Sequence, residues 1–288
     1  MHRAWIITLM FAFFQEFTTC TGSFIASNKH IHDVKLNMGG YDATTGIDPS
    51  TKIQFFTLPG NTCPYAQRTA IVFNELEISF DLTEISGRPK PDWYLKINPR
   101  GKVPAIRVIT VSPPQVIYES SICNEFLCDY ATTVLAKDQQ LLPSDPFSRA
   151  KIRLLNDHCD TVFTKSQFTF LMNKIEGKDQ ELANEMEDSL AIYEEALEES
   201  GGPFLCGEYF TLADVQIYPF ILRLIVTLRH FKGYELSNDK FGRVLSWFKN
   251  CSMKQSVRQA TISNEKIIEV YDMFMKADYK FGGLNQNK

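Results

Sequence analysis

The sequence predicts a small α/β domain over residues 51–133, a linker over 134–147 and an all-α domain over 148–280. Three observations carry this reading. Between residues 51 and 130, short apolar runs of strand type alternate with helical patterns, which builds one layer of sheet and helix. After residue 133 the strand patterns stop and long segments of helical period take over. Within them the run Val215–Val226 is apolar nearly all round, as the buried centre of a helical bundle is.

The N-terminus comes first. Met1-His2-Arg3 is a short basic start, and Ala4–Phe14 is an apolar run too short to span a bilayer. Small residues follow around Cys20–Gly22. Residues 1–22 therefore read as a signal peptide, with a secreted or secretory-pathway destination and a cytoplasmic one as the alternative. No stable membrane span is expected once it is removed. Residues 23–50 are polar, rich in turn formers and without periodicity, so they read as a flexible extension. His30 and His32 within it read as solvated rather than as metal ligands.

The α/β elements follow in order. Ile53–Thr57 is a strand, Pro64–Leu76 a helix, and Ile78–Thr83 alternates as a half-buried strand does. Pro91–Ile97 reads as a short helix and Asn98–Lys102 as a turn. Val103–Ile109 is a strand with a proline at its start. Ser112-Pro113-Pro114 turns the chain into a strand at Gln115–Tyr118, and a helix covers 119–127. Asp145 is placed to cap a helix that opens with Pro146. Helices are expected over 148–174, 179–200, 215–226, 240–250 and 264–276. Gly201-Gly202-Pro203 separates the second from the third, and Thr211-Leu212-Ala213-Asp214 resembles a capping box. Residues 281–288 form a tail.

Composition bounds the function. The 288 residues suffice for two cores, and 44% hydrophobic with 22% charged is ordinary for a soluble globular chain. A net charge of -4 with no basic stripe excludes nucleic acid held by bulk electrostatics. The seven cysteines (Cys20, Cys63, Cys123, Cys128, Cys159, Cys206, Cys251) show neither paired zinc spacing nor a disulfide framework, so no metal is expected. Cys123, His158 and Cys159 read as helix core residues. Asn250-Cys251-Ser252 matches the glycosylation triplet but falls in an expected helix.

One cysteine stands apart. Cys63 sits in a loop directly before Pro64, where the first strand hands over to a helix. The first turn of a helix presents N–H groups without partners and favours negative charge. A thiolate there is stabilised, so the position predicts a lowered pKa and a nucleophilic Cys63. The plainer alternative is a small buried residue; position favours the reactive reading.

Five motifs in order then resemble the glutathione S-transferase superfamily, in particular its omega class: Cys63-Pro64-Tyr65-Ala66-Gln67-Arg68, Lys90-Pro91-Asp92-Trp93, Asn98-Pro99-Arg100-Gly101-Lys102-Val103-Pro104, Tyr118-Glu119-Ser120-Ser121-Ile122 and Leu212-Ala213-Asp214. The resemblance spans about residues 51–277. It implies a thioredoxin-like N-terminal domain joined to the all-α domain, with glutathione as cosubstrate. By the resemblance, Glu119 and Ser120 hold the γ-glutamyl end of glutathione, the Val103 backbone pairs with its cysteinyl part, and Pro104 is the cis-proline of the fold. Lys90 matches a basic residue that contacts the glycyl carboxylate; it also reads as a solvated lysine, and Arg88 competes for the role.

The resemblance also implies the reaction class. A catalytic Cys63 favours a mixed disulfide with glutathione over conjugation. Ala66 stands where a C-x-x-C motif has its second thiol, so a second glutathione must resolve the disulfide. The implied activities are deglutathionylation, dehydroascorbate reduction and arsenical reduction, on a small electrophilic or disulfide acceptor held between the domains, in a homodimer. Cys-Pro-aromatic-small-Gln-Arg also occurs in plant-type dehydroascorbate reductases and intracellular chloride channel proteins. A channel-like or non-catalytic glutathione-binding protein of the same fold is therefore the alternative, as is a carrier whose thiol is permanently oxidised.

Overall fold

The computed structural model describes residues 52–277 apart from Arg88, all within one compact unit, Ala43–Lys288. The expected signal peptide (1–22), the extension with His30 and His32 (23–50) and the tail (281–288) lie outside the described residues.

The sheet has four strands in the order β2 (Asp81–Glu84), β1 (Ile53–Thr57), β3 (Ala105–Val108), β4 (Gln115–Tyr118). β1 and β2 run parallel, which requires a crossover, and α1 (Pro64–Glu75) supplies it. β3 lies antiparallel to both β1 and β4, with Phe55 opposite Ile106 and Ile106 opposite Ile117. Because side chains alternate along a strand, the sheet buries both faces. Ile53, Phe55 and Ile106 join the core beneath α1 and α3 (Ser120–Thr133). Phe56 and Ala105 point the other way, onto Ile85 and onto Tyr94 of α2 (Asp92–Ile97).

The helical part begins with α4 (Pro146–His158), where Asp145 Oδ2 accepts from Ser148 N–H at 2.7 Å, as expected of a cap opening on proline. α6 (Asp179–Ser200), α7 (Leu212–Lys232), α8 (Asn238–Met253) and α10 (Asn264–Lys276) follow. The capping box at α7 is complete: Thr211 Oγ1 accepts from Ala213 N–H at 3.3 Å and Asp214 Oδ2 from Thr211 N–H at 2.8 Å. α7 is buried around most of its girth, with fifteen buried residues including Arg223. No helix among the described residues is long and apolar enough to cross a membrane.

Several expected elements change on folding. The strand expected at 78–83 is the edge strand 81–84. Ile78 N–H instead closes the end of α1 on Phe73 O at 3.0 Å, and Leu82 faces outward. The helix expected at 148–174 breaks into α4, a π-helical turn at Cys159–Phe163 and α5 (Thr164–Met172). The helix expected at 119–127 starts at Ser120 and runs to Thr133. A short helix that periodicity missed, α9 (Gln255–Ala260), packs on α1: Asn74 Nδ2 donates to Ser256 O at 3.1 Å. The glycosylation triplet lies within α8, where Asn250 Nδ2 donates to Pro203 O at 3.4 Å.

The turn after α6 makes a steric demand. A Cβ on Gly202 would sit 2.4 Å from the backbone carbonyl of Gly207, whose strand-like bridge to Phe204 fixes it in place. Gly202→Ala is expected to lower stability by about 1–3 kcal/mol, read as a lower urea midpoint at unchanged m-value. An unshifted midpoint contradicts this packing.

Candidate active site

Cys63 is the N-cap of α1, with extended φ/ψ (-77°, 122°) and Pro64 at the first helical position. β1 delivers the chain to this point through the short 3-10 turn Pro59–Asn61. The Cys63 thiol contacts Val103 O at 3.7 Å and donates to it. The Val103–Pro104 peptide is cis, as expected, and the Val103 N–H makes no hydrogen bond among the described residues. So the backbone of Val103 lies beside the thiol as an edge with an open donor.

Ser120 opens α3 and is 6% exposed. Its Oγ accepts from Arg68 Nη1 at 3.2 Å. Glu119, the N-cap, holds a positive φ of 71°, a conformation that a non-glycine residue adopts only at a local cost. Its carboxylate pairs with Arg100 Nη1 at 2.5 Å on the surface. Lys90 donates to Ile85 O at 2.9 Å, tying down the segment after β2. Cys63, Val103 and Pro104 are thus brought together directly. Glu119 and Ser120 stand at one helix start, joined to α1 through Arg68. Lys90 is fixed by the neighbouring segment.

Two buried arginines join this site to the helical part. Arg68 is fully buried: Nε donates to Gln216 O at 2.8 Å and Nη2 to Asp160 Oδ1 at 2.7 Å. Its guanidinium carbon lies 4.9 Å from the Tyr65 ring centroid and 4.6 Å from that of Phe220. Arg223, on α7, donates from Nη1 to Gln67 Oε1 at 2.7 Å and from Nη2 to Thr62 O at 3.1 Å, next to Cys63. Its Nε is buried without a partner. Aromatic Tyr65 and Phe220, centroids 5.2 Å apart, lie beside the loop.

Two family models match the chain: the glutathione S-transferase N-terminal domain over residues 62–129 and the C-terminal domain over 158–260. The chain belongs to the glutathione S-transferase family. It is 28% identical over 196 residues to pyrimidodiazepine synthase of Drosophila melanogaster, covering 68% of this chain and 75% of that one. It is 28% identical over 180 residues to probable glutathione S-transferase DHAR1, cytosolic, of Oryza sativa, covering 62% and 74%. The solved structure of glutathione transferase Omega 3C from Trametes versicolor superposes with a TM-score of 0.67 at 27% identity, over 78% of this chain and 91% of that one.

In this transferase the electrostatics of Cys63 differ from the sequence expectation of a lowered pKa. Although the residue keeps some surface, protein atoms crowd the sulfur, and burial pushes the thiol up from its ordinary value. Backbone N–H groups of Ala66 and Tyr65, then the charges of Arg223 and Arg68, pull it down by less. The helix-start mechanism operates but does not win in the free protein. With a raised pKa the thiol stays protonated at neutral pH and its thiolate fraction grows with pH. Alkylation of Cys63 by iodoacetamide is therefore expected to keep accelerating beyond about pH 8.5, the ordinary thiol value. A rate that plateaus below pH 7 contradicts this balance.

Sequence reasoning assigned no role to Arg68, Asp160, Gln216, Phe220 or Arg223. One signal was available. Arg223 is the one charge within the run Val215–Val226, and a fully buried arginine is rare unless paired. Asp160 carried no such signal, because only the π-helical turn brings it to Arg68.

Proposed function

We propose that this transferase catalyses glutathione-dependent thiol transfer through a Cys63–glutathione mixed disulfide, acting on glutathionylated thiols and on dehydroascorbate, with arsenicals as further acceptors. The observation that carries the reading is the pairing of the Cys63 thiol with the Val103 edge, with Ala66 in place of a second cysteine. An open Val103 N–H beside the sulfur suits the cysteinyl amide of glutathione, as an added strand would pair. Ser120, at a helix start, offers a hydroxyl and a backbone N–H to the γ-glutamyl carboxylate. Glu119 takes the ammonium in exchange for Arg100. Lys90 stands for the glycyl carboxylate, at the cost of its bond to Ile85.

The chemistry balances in two exchanges. The Cys63 thiolate attacks the glutathionyl sulfur of R–S–S–G, forming Cys63–S–S–G and expelling RS⁻, which takes a proton. A second glutathione thiolate attacks the same glutathionyl sulfur, releasing oxidised glutathione and the Cys63 thiolate. With dehydroascorbate, two glutathiones supply two electrons and two protons, yielding ascorbate and oxidised glutathione. A thiol with raised pKa is scarcer as thiolate but more nucleophilic per thiolate. The charges of Arg223 and Arg68 favour the thiolate as it forms.

The test is steady-state reduction of a glutathionylated peptide and of dehydroascorbate, varying both substrates. Parallel double-reciprocal lines, the pattern of an enzyme-bound intermediate, are the expected result. Absence of glutathione-dependent turnover with either acceptor contradicts the reading. Export through residues 1–22 and a homodimeric state belong to the same proposal. N-terminal sequencing of the mature protein and sedimentation analysis test them.

A further inference from the structure

We propose that Arg68 is a positioning residue for glutathione: it orients the Ser120 hydroxyl towards the γ-glutamyl carboxylate and is itself held by Asp160 and Gln216 of the helical part. The proposal rests on the reading of Ser120 as a glutathione-binding residue. It adds that the binding of glutathione to the sheet-bearing part depends on a side-chain network anchored in the helices.

A serine hydroxyl has one hydrogen to donate and two lone pairs. Arg68 Nη1 occupies a lone pair of Ser120 Oγ at 3.2 Å. Among the described residues the Ser120 hydroxyl hydrogen has no acceptor, although the residue is only 6% exposed. A nearly buried hydroxyl that accepts from a fixed cation and has no acceptor for its own hydrogen presents that hydrogen to an incoming acceptor, and a carboxylate is the strongest available. The donated bond from a cation also polarises the hydroxyl and strengthens the bond it gives.

The guanidinium is held by several anchors. Asp160 Oδ1 and Gln216 O take two of its donors at 2.7 and 2.8 Å. Gln216 Nε2 donates to Asp160 Oδ2 at 2.8 Å, so the carboxylate that holds the arginine is itself held. The rings of Tyr65 and Phe220, in contact with each other, both pack against it. Asp160 sits in the π-helical turn at Cys159–Phe163, and π turns inside α-helices occur frequently at functional sites. The turn brings the Asp160 carboxylate to Arg68. A lysine at position 68 keeps a charge but cannot serve Ser120, Asp160 and Gln216 from one planar fork.

The experiment is a double-mutant cycle on the full chain, reading the glutathione dissociation constant by calorimetry. Ser120→Ala and Arg68→Lys are each expected to weaken binding about tenfold, and the double variant no further than either alone. A glutathione analogue whose γ-glutamyl α-carboxylate is replaced by an amide is expected to bind wild type more weakly than glutathione and to bind Arg68→Lys equally with it. If Arg68→Lys does not fold, as judged by circular dichroism, Asp160→Ala replaces it in the cycle: the arginine stays, its anchor goes, and the same non-additivity with Ser120→Ala is expected. Losses that multiply, or a variant that still discriminates against the amide analogue, show a merely structural arginine and overturn the proposal. Wild-type protein that fails to bind glutathione overturns the proposed function itself, an outcome distinct from additive losses in a protein that binds.

Discussion

The Cys63→Ser protein is expected to lose glutathione-dependent reduction of a mixed disulfide, by roughly 10³-fold or more, to the uncatalysed background. A hydroxyl cannot form the covalent link to the glutathionyl sulfur, and no second thiol lies on the first turn of α1, where Ala66 stands. The four core cysteines cannot substitute. Cys123, Cys128, Cys159 and Cys251 are 0% exposed, and burial holds their thiols up, Cys159 to about 12. The fold itself is expected to survive, because serine keeps the size and the donor that faces Val103 O. A thermal midpoint close to wild type together with lost turnover is the predicted pair of results. Retained turnover at a tenth of wild type or better contradicts a nucleophilic Cys63.

The largest structural effect is expected at Asp214. Its carboxylate is fully buried and accepts from Leu205 N–H at 2.9 Å, Thr211 N–H at 2.8 Å, Thr211 Oγ at 3.0 Å and Trp247 Nε1–H at 2.7 Å. One side chain thereby caps α7, pins the loop before it and docks α8. Asp214→Ala leaves three N–H donors buried without partners, each at about 1–3 kcal/mol, so a loss of about 4 kcal/mol or more is expected. That is a large share of a typical domain's stability. Chemical denaturation should show it as a large fall in midpoint. Asp214→Asn keeps one acceptor oxygen for part of this set and sets an NH2 against the rest, so its loss should be smaller. Equal losses for Ala and Asn contradict the hydrogen-bond account.

The sheet, the order of the elements and the place of Cys63 at the start of α1 were legible in the sequence because each depends on local rules, whereas Val103, Glu119 and Ser120 were singled out by the family resemblance. A short apolar run marks β1, a proline at N1 marks α1, and Thr211–Asp214 carries both partners of the capping box in four residues. α10 was read with its observed bounds, since its caps and its amphipathic period agree. What escaped depends on tertiary context. Ile78 was read as strand because it alternates, yet it closes the end of α1. α9 has six residues, too few for a period to declare itself, and is held by contacts to α1. The π-helical turn left no mark in the pattern of 148–174. Arg68 and Asp160 are 92 positions apart, and nothing local predicts their pairing. The pKa of Cys63 depends on how closely protein atoms surround the sulfur, and no motif encodes that.

The central claim is that glutathione becomes covalently attached to Cys63 and leaves on a second glutathione. The direct measurement is peptide mass spectrometry of wild-type protein treated with oxidised glutathione, quenched with acid and digested without reductant. The account predicts one glutathionyl group on the peptide containing Cys63, removed on addition of reduced glutathione. Adduct on another cysteine with Cys63 unmodified, or a Cys63 adduct that reduced glutathione cannot remove, would contradict it.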